Sequence, residues 1–305
     1  MSARGYRFGY QETANANAES IRVAAQAAEA AGFAEYWSSD HIGAADPFLA
    51  LQYAADATTT LDVGPLVLNN EFHHPVMIAR SMASLDQLTG GRAVLGLGTG
   101  YAKTEHDATA IPLRPPGPRV TRLGESLQVI RALFDDGASH FEGEHHRTAL
   151  DDIGVRPIQD RLPILIGGHG RRVVGLAGRF ADRFQYTGLT FDAEGNLSPS
   201  GFVATELDIR REWLIEAAGD RIDTIERSAL VQRLRVGDGT SEFASETADA
   251  WGMTAAQLAV CPFALIGSVE QIVDKIERLQ ERLDITHYVV RDVEAFTPVI
   301  AALAD

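Results

Sequence analysis

One apolar segment of this chain ends in residues that would bring main-chain atoms close to a ligand. The sequence LDQLTGGRAVLGLGTG, residues 85–100, has the pattern of a helix end, a Gly-Gly stop and a buried strand that finishes with Gly98, Thr99 and Gly100. Glycines at the end of a strand let a bound molecule approach the backbone, because they carry no side chain. Close packing of a helix on the strand would explain the same glycines without a ligand. Tyr101 follows directly, and its hydroxyl could donate a proton or form the wall of a pocket.

A second glycine-rich segment has the composition of an anion site. Behind the apolar run LPILI come Gly167, Gly168, His169 and Gly170. The predicted helix that follows begins with Arg171 and a second arginine. Main-chain N–H groups at a helix N-terminus and two guanidinium groups would together bind a phosphate. Alternatively, both arginines are solvated charges on the helix surface.

Several common catalytic sites have no counterpart in the sequence. No histidines have the His-x-x-x-His or His-Glu-x-x-His spacing, so we expect no metal site. No Gly-x-Ser-x-Gly segment indicates a serine hydrolase. The two lysines, Lys103 and Lys275, do not end a predicted strand, which argues against Schiff-base chemistry. The single cysteine, Cys261, excludes an internal disulfide framework and lies in an apolar stretch typical of core packing.

Length and charge limit the class of protein. A chain of 305 residues with 45% hydrophobic residues can bury a full core, either as one barrel-sized domain or as two small ones. The regular alternation of strands and helices predicts a single domain over residues 1–305. No apolar run approaches the ~20 residues of a membrane span, and MSARGYRFGY lacks an apolar signal core, so the expected location is the cytoplasm. The net charge of -15 argues against nucleic acid and anionic membranes as partners.

Strand-like and helical segments alternate along the whole chain. The predicted strands are RFGYQ, EYWSSDH, LDVGPLVLN, RAVLGLGTG, LPILIGG, RFQYTG, SALVQRLRVG and THYVV. Eight strands alternating with helices predict an α/β fold, a single (β/α)8 TIM barrel. A hairpin over HFEGEHHRTALDDIGVRPIQ is expected after the fourth helix, and a polar, partly helical insertion over residues 240–266 after the seventh strand. The alternative, a doubly wound open sheet, expects a Gly-x-Gly-x-x-Gly turn after the first strand, and YQETANANAES contains no glycine.

A barrel brings the C-terminal ends of its strands together, where catalytic residues of this fold lie. In chain order the expected strand ends carry Gln11 and Glu12; Ser39, Asp40 and His41; Asn69, Asn70 and Glu71; Thr99, Gly100 and Tyr101; Gly167, Gly168 and His169; Tyr186 and Thr187; Arg235 and Gly237; and Arg291 and Asp292. The aromatic residues Trp37, Phe72 and Tyr186 could form apolar walls of a substrate pocket or fill the core. Glu105, one turn beyond Tyr101, is assigned to the same pocket.

Five segments in this order resemble one family. They are SSDHIG, PLVLNNEFHHP, LDQLTGGRAVLGLGTGY, ILIGGHGRRVVGLAGRFADRF, and IGSVEQIVDKI before YVVRD. Together they are similar to the luciferase-like flavin and deazaflavin oxidoreductases over nearly the whole chain. The pair Asp40-His41 resembles the branch that uses coenzyme F420, whereas the FMN-dependent monooxygenases more often carry Glu-His-His there.

The resemblance implies roles for residues that local sequence leaves open. By themselves, Asp40 could cap a turn and His41 could be structural. Within the family, Asp40 would bond the edge of the cofactor ring and His41 would lie over its reactive carbon, where imidazole can place or stabilise charge. The family often has a cis peptide at Leu66-Val67, before Asn69, that backs the ring, and a plain trans strand is the alternative. The resemblance also supports a cofactor phosphate near Gly170 and Arg171.

The resemblance implies two possible functions, and a third is that of a barrel without catalysis. The first is an F420-dependent oxidoreductase that transfers hydride to or from a small organic substrate, through reduction of an activated C=C or C=N bond. Because Tyr101 occupies the place of the glutamate that donates a proton in the sugar-phosphate dehydrogenases of this branch, their reaction is not transferred to this chain. The second is an FMN-dependent monooxygenase that uses oxygen and a separate reductase. The third is a non-catalytic binding barrel. The resemblance also implies a homodimer.

Overall fold

The computed structural model describes residues 5–13, 17–188, 190–191 and 197–304. The strands are β1 Arg7–Glu12, β2 Glu35–Ser38, β3 Asp62–Pro65, β4 Leu68–Asn69, β5 Leu95–Gly98, β6 Ser139–Glu142, β7 Arg147–Leu150, β8 Ile164–Gly168, β9 Arg183–Tyr186, β10 Thr190–Phe191, β11 Leu197–Ser198, β12 Glu226–Leu230, β13 Arg233–Val236, β14 Ala264–Gly267 and β15 Ile285–Val290. The α-helices are α1 Ala18–Ala30, α2 Pro47–Asp56, α3 Pro75–Thr89, α4 Lys103–Thr109, α5 Pro116–Asp135, α6 Arg171–Phe180, α7 Ala204–Ala218, α8 Thr240–Ala250, α9 Ala255–Ala259, α10 Val269–Leu283 and α11 Val293–Ala304. Short 3₁₀ helices span Pro199–Phe202 and Gly219–Thr224.

Nine strands form one parallel sheet in the order β3, β2, β1, β15, β12, β9, β8, β5, β4. The ring closes where Val63 of β3 exchanges main-chain hydrogen bonds with the chain entering β5, at 2.7 Å to Arg92 and 3.0 Å to Val94. Since β3 and β4 are two parts of the predicted third strand, the sheet has eight strand positions. The predicted (β/α)8 barrel is confirmed.

The third barrel strand is interrupted between β3 and β4. The peptide bond between Leu66 and Val67 is cis, the geometry that the family resemblance had left open. Two glycines permit the close approach of the neighbouring strands at this point. A Cβ at Gly64 would lie 2.2 Å from the carbonyl oxygen of Val94, and one at Gly96 would lie 2.1 Å from that of Pro65. No larger residue fits there, because heavy atoms cannot approach so closely.

The seventh strand is shorter than predicted. Only β12 belongs to the barrel, and the chain then leaves it to form β13, which pairs in parallel with β14 of the insertion. The main-chain N–H groups of Gln232 and Arg233 both donate to the carbonyl of Phe263, at 2.7 and 3.1 Å. The prediction that Arg235 and Gly237 end a barrel strand was therefore wrong, because both residues pair with the insertion strand β14 instead. Gln232 lies at this strand end instead.

Side-chain caps mark the start of the helices that follow β1 and β2. Asn17 caps α1 with a reciprocal bond to Ser20, and Asp46 caps α2. Helix α5 begins at Pro116, inside the segment 112–118, whose prolines predict a proline-rich loop, and the short helix α4 before it has no counterpart in the predicted elements. The predicted hairpin is present as β6 and β7. Glu125 of α5 holds it by accepting hydrogen bonds from three successive main-chain N–H groups, at 2.8 to 2.9 Å.

The structure also bears on membrane insertion and on the chemistry of the single cysteine. None of the helices in the described part of the chain combines the length and apolar character needed to cross a bilayer. Cys261 is buried, and burial raises the pKa of its thiol to about 11. The thiol is therefore protonated at neutral pH and packs as an apolar group.

Candidate functional site

A cavity of about 400 Å³ opens at the C-terminal ends of the barrel strands. It is lined by thirteen of the residues singled out from the sequence: Asp40, His41, Leu66, Val67, Asn69, Thr99, Gly100, Tyr101, Glu105, Gly167, Gly168, His169 and Gly170. These residues lie at the ends of four different strand positions of the barrel, so only the closed sheet brings them together. Their functional roles remain predictions.

A carboxylate–histidine pair lies at the mouth of the cavity. The Nδ1 atom of His41 is 2.7 Å from Oε1 of Glu105, which α4 positions. The hydroxyl of Tyr101 lies 3.3 Å from Nε2 of the same imidazole, and the two rings meet edge to face. A carboxylate beside Nδ1 favours the tautomer with the proton on Nδ1, which leaves Nε2 as an acceptor. Burial, with the nearby Glu105 carboxylate, raises the pKa of Tyr101, so its hydroxyl stays protonated and can donate.

Asp40 braces the strand end that follows the cis peptide. Its Oδ2 atom accepts hydrogen bonds from the main-chain N–H of Asn69 at 2.8 Å and from Nε2 of His73 at 2.9 Å. The side chain is mostly buried, at 10% exposure. Asp40 therefore fixes the main chain beside the cavity, in addition to any contact with a ligand.

The side chain of Asn69 is fully engaged within the protein. Its Oδ1 accepts from the N–H of Glu71 at 3.0 Å, and its Nδ2 lies 3.0 Å from Nε2 of His106. Nδ1 of His106 lies 3.0 Å from the carbonyl of Ile111, which can only accept, so Nδ1 carries the proton and Nε2 accepts from Asn69. The main chain of Asn69 is engaged as well, since its N–H donates to Asp40 at 2.8 Å and its carbonyl accepts from the N–H of Phe72 at 2.9 Å, so these bonds fix the wall of the cavity at this point.

Glycines shape two sides of the cavity. A Cβ at Gly98 would lie 2.7 Å from Cγ2 of Val67, and one at Gly168 would lie 2.4 Å from Cγ1 of Val173. By contrast, a Cβ at Gly170 would meet no atom within 4 Å. Gly170 is the N-cap of α6, and no side chain from the described residues caps this helix. The first N–H groups of α6 are therefore open to a ligand, as phosphate binding requires.

Two arginines, Arg119 and Arg291, line the cavity, and neither is the predicted Arg171. Arg171 pairs with Glu216 at 3.0 Å, is 66% exposed, and lies in a groove between α5 and α6 outside the barrel. Its assignment to the cofactor site was wrong, because the helix turns this side chain to the surface, which is the alternative that its sequence left open. Arg119 lines the cavity instead and donates to the carbonyl of Gly100. Its buried Nε atom has no hydrogen-bond partner among the described residues.

Three predicted wall residues do not line the cavity. Trp37 and Tyr186 are fully buried in the barrel, and Nε1 of Trp37 donates to Glu35 at 2.9 Å. Phe72 packs against His106 with ring centroids 4.6 Å apart. The assignment of all three to the pocket was wrong. Trp37 and Tyr186 pack in the core, because alternate strand residues face opposite sides and a position near a strand end does not fix that side. Phe72 lies in the turn after β4, where it packs on α4.

Other cavity residues were not assigned a role from the sequence. They are Gln11, Arg119, Gln185, Gln232 and Arg291. Arg291 donates to Gln11 at 3.0 Å and to Gln232 at 3.4 Å, and Gln11 donates to the carbonyl of Leu66 at 2.8 Å. Gln11 and Arg291 stand at predicted strand ends. Arg119 directly follows the proline-rich loop, which is a signal that could have identified it.

Gly100 is the glycine of the cavity whose replacement should cost most. Its φ of +75° is in the left-handed region, and a Cβ would lie 2.1 Å from Oδ1 of Asn69. We expect Gly100→Ala to lower the free energy of unfolding by about 2 kcal/mol, measured by urea denaturation. Gly175→Ala is the matched control, because a Cβ there meets nothing within 4 Å. That change should stabilise α6 by about 0.5–1 kcal/mol, and equal effects at both positions would contradict this account.

Comparison with known proteins identifies the relatives of this chain. The family described as luciferase-like monooxygenase matches residues 4–196. The F420-dependent glucose-6-phosphate dehydrogenase of Nakamurella multipartita is 35% identical over 240 residues, which are 74% of this chain and 67% of that relative.

Solved structures agree on the fold. That of an F420-dependent secondary alcohol dehydrogenase in complex with an F420-acetone adduct has a TM-score of 0.77 at 19% identity, and the match covers 98% of this chain and 99% of that one. That of monooxygenase RslO1 from Streptomyces bottropensis has a TM-score of 0.74 at 18% identity, covering 98% and 97%. The same barrel therefore occurs in enzymes of both reaction types.

Proposed function

Because the chain belongs to the luciferase-like monooxygenase family, we propose that it is an oxidoreductase that transfers hydride between coenzyme F420 and a small organic substrate. The observation that carries the proposal is the His41–Glu105 pair, 2.7 Å apart at the mouth of a glycine-lined cavity. The F420-dependent relative, at 35% identity, supports this cofactor over FMN.

The residues of the cavity fit a flat ring that carries a phosphate. Leu66 and Val67 would back the ring, and the main chain at Thr99 would contact its edge. The open N-terminus of α6 at Gly170 and the unpartnered Nε of Arg119 would bind the phosphate. When bound, F420 supplies two-electron hydride chemistry without oxygen.

His41, Glu105 and Tyr101 would stabilise the charge that develops in the substrate and would transfer protons. Glu105 holds the imidazole of His41 by Nδ1, and Nε2 can take up or release a proton as charge develops in the substrate. The hydroxyl of Tyr101 lies 3.3 Å from that nitrogen and can return a proton to it. Apolar cavity residues such as Leu230 and Val120 would exclude water. An activated C=C or C=N bond in a hydrophobic molecule is the substrate class that this arrangement suits.

A second candidate, an FMN-dependent monooxygenase, is favoured by the name of the matching family and by the likeness to RslO1. It would need oxygen and a separate reductase to supply reduced flavin. For either enzyme we propose a cytoplasmic homodimer. Exposed apolar residues on neighbouring helices suit the contact with a second copy: Leu49 and Tyr53 on α2 and Met77 on α3 are 66%, 54% and 49% exposed.

Parallel titrations with oxidised F420 and FMN, followed by intrinsic fluorescence, test the proposal. We expect saturable binding of F420 and much weaker binding of FMN. The opposite preference would favour the monooxygenase, and binding of neither would favour a non-catalytic barrel.

Arg119→Gln should weaken F420 binding at least tenfold, because it removes a charge-assisted hydrogen bond to the phosphate. Arg172→Gln is its matched control. Arg172 lies in the groove outside the barrel, 2.9 Å from the hydroxyl of Thr121, and its loss should leave binding unchanged. Equal effects of the two changes would argue against a phosphate beside Arg119.

A further inference from the structure

A buried polar column leads from the barrel interior to the cavity. Nε2 of Gln185 donates to Oγ of Ser228 at 3.3 Å, and that oxygen lies 2.8 Å from Nδ1 of His287. Nε2 of His287 is 2.7 Å from Oε2 of Glu35. All four residues are at most 2% exposed, yet Gln185 lines the cavity. Polar groups so deeply buried need a reason, because the interior of a barrel is normally filled by branched apolar side chains.

The column fixes which way the Gln185 amide faces. Glu35 is ionised, because Arg183, His287 and Arg7 together outweigh the effect of burial and hold the pKa of its carboxyl well below the usual range. An ionised carboxylate only accepts, so Nε2 of His287 carries a proton, and Ser228 is held between the imidazole and the amide. With its NH₂ group on Ser228, Gln185 turns its carbonyl oxygen toward Gly167, 3.7 Å from the Cβ position of that cavity residue.

The carbonyl oxygen of Gln185 accepts no hydrogen bond from the part of the protein that the structure describes. Its side chain is 2% exposed, so bulk water does not compete strongly for it. A carbonyl oxygen can only accept, and a nearly buried acceptor beside a ligand cavity selects for a donor on the ligand. Flavin and deazaflavin rings share one such donor, the imide N–H between two ring carbonyls.

We propose that the carbonyl of Gln185 accepts a hydrogen bond from the imide N–H of the bound cofactor ring, and that Ser228 and His287 are positioning residues for that amide. This inference rests on the proposed function, since it concerns the ring that the cavity would hold. Gln185 would thus bind the edge of the ring, separately from the contacts that Gly170 and Arg119 would make with the phosphate. The imide is common to F420 and FMN, so the interaction contributes affinity for both and does not select between them.

The test is a binding cycle between protein and cofactor. The probe is whichever of F420 and FMN binds the unaltered protein, together with the same molecule methylated on its imide nitrogen. Methylation should weaken binding to the unaltered protein about tenfold, through the lost hydrogen bond and the crowding of the methyl group. In Gln185→Met, of similar length but without the acceptor, methylation should cost less than about threefold.

Gln232→Met is the matched control. This residue lines the same cavity, but Arg291 donates to its side-chain carbonyl. It should keep the full methylation penalty. Ser228→Ala is a second variant for the case in which Gln185→Met does not fold. It frees the amide to rotate, and it should reduce the penalty without abolishing cofactor binding.

The results separate the two levels of the proposal. Binding of neither cofactor to the unaltered protein would overturn the proposed function and this inference with it. Binding without a methylation penalty, or an undiminished penalty in both Gln185→Met and Ser228→Ala, would overturn the inference alone. Loss of the penalty in Gln185→Met or its reduction in Ser228→Ala, with the penalty kept in Gln232→Met, would support it.

Discussion

His41→Ala should lower the rate of hydride transfer at least 100-fold and leave F420 binding within about threefold of the unaltered protein. General acid–base groups contribute factors of this size, and the substitution removes the imidazole without changing the glycine-lined walls. The measurement is single-turnover oxidation of bound reduced F420 by electron-poor alkenes and imines, followed by absorbance. Glu105→Gln should retain the imidazole but lose the charge beside Nδ1, so we expect a smaller loss of about tenfold.

His140→Ala is the matched control for that experiment. His140 lies on the hairpin strand β6, 63% exposed and paired with Asp151, so its removal should not affect the rate. A loss below about tenfold in His41→Ala would remove the imidazole from the chemistry. Unchanged ligand binding with no turnover in any protein of the series would instead favour the non-catalytic barrel.

The barrel could be predicted because its signals are local. Strand and helix patterns alternate at short range, and caps such as Asn17 and Asp46 mark where helices begin. The glycines at strand ends are also local signals. Gly98 and Gly168 line the cavity, and neighbouring side chains occupy the space that a Cβ would need at each position. A closed sheet then determines which ends meet.

The facing of individual side chains could not be predicted in this way. Trp37 and Asp40 are three residues apart, yet one fills the barrel interior and the other reaches the cavity. Arg119 and Arg171 both stand in the first turn of a helix, but only Arg119 turns inward. Which way each side chain faces depends on long-range packing, and so does the pairing of β13 with β14. No periodicity of the sequence encodes either.

Glu35 should be among the side chains whose loss destabilises this protein most. Its carboxylate lies 2.8 Å from Arg183, 3.2 Å from Arg7 and 2.7 Å from His287, and it is 1% exposed. Glu35→Gln removes the buried counter-ion of Arg183 and leaves that arginine only the partly exposed Glu226, at 2.6 Å. Breaking a buried ion pair from one side costs about 3–5 kcal/mol, a large fraction of a typical free energy of unfolding. Urea denaturation at pH 7 measures the loss, and Glu216→Gln, in an exposed pair with Arg171, should change the midpoint little.

The carboxylate of Glu35 should also make the free energy of unfolding fall at acid pH. The folded-state pKa of Glu35 is lowered by Arg183 and His287 in spite of burial, so its stabilising contribution is present above the unfolded pKa of about 4.3 and is lost as the pH falls below it. We expect the stability of the unaltered protein to decline below pH 4 and that of Glu35→Gln to decline less steeply. If stability fell equally steeply with pH in the unaltered protein and in Glu35→Gln, or if Glu35→Gln lost less than about 1 kcal/mol at neutral pH, then solvent would compensate the loss of the Glu35–Arg183 pair. In that case the column through Ser228 would lack the fixed charge that orients Gln185.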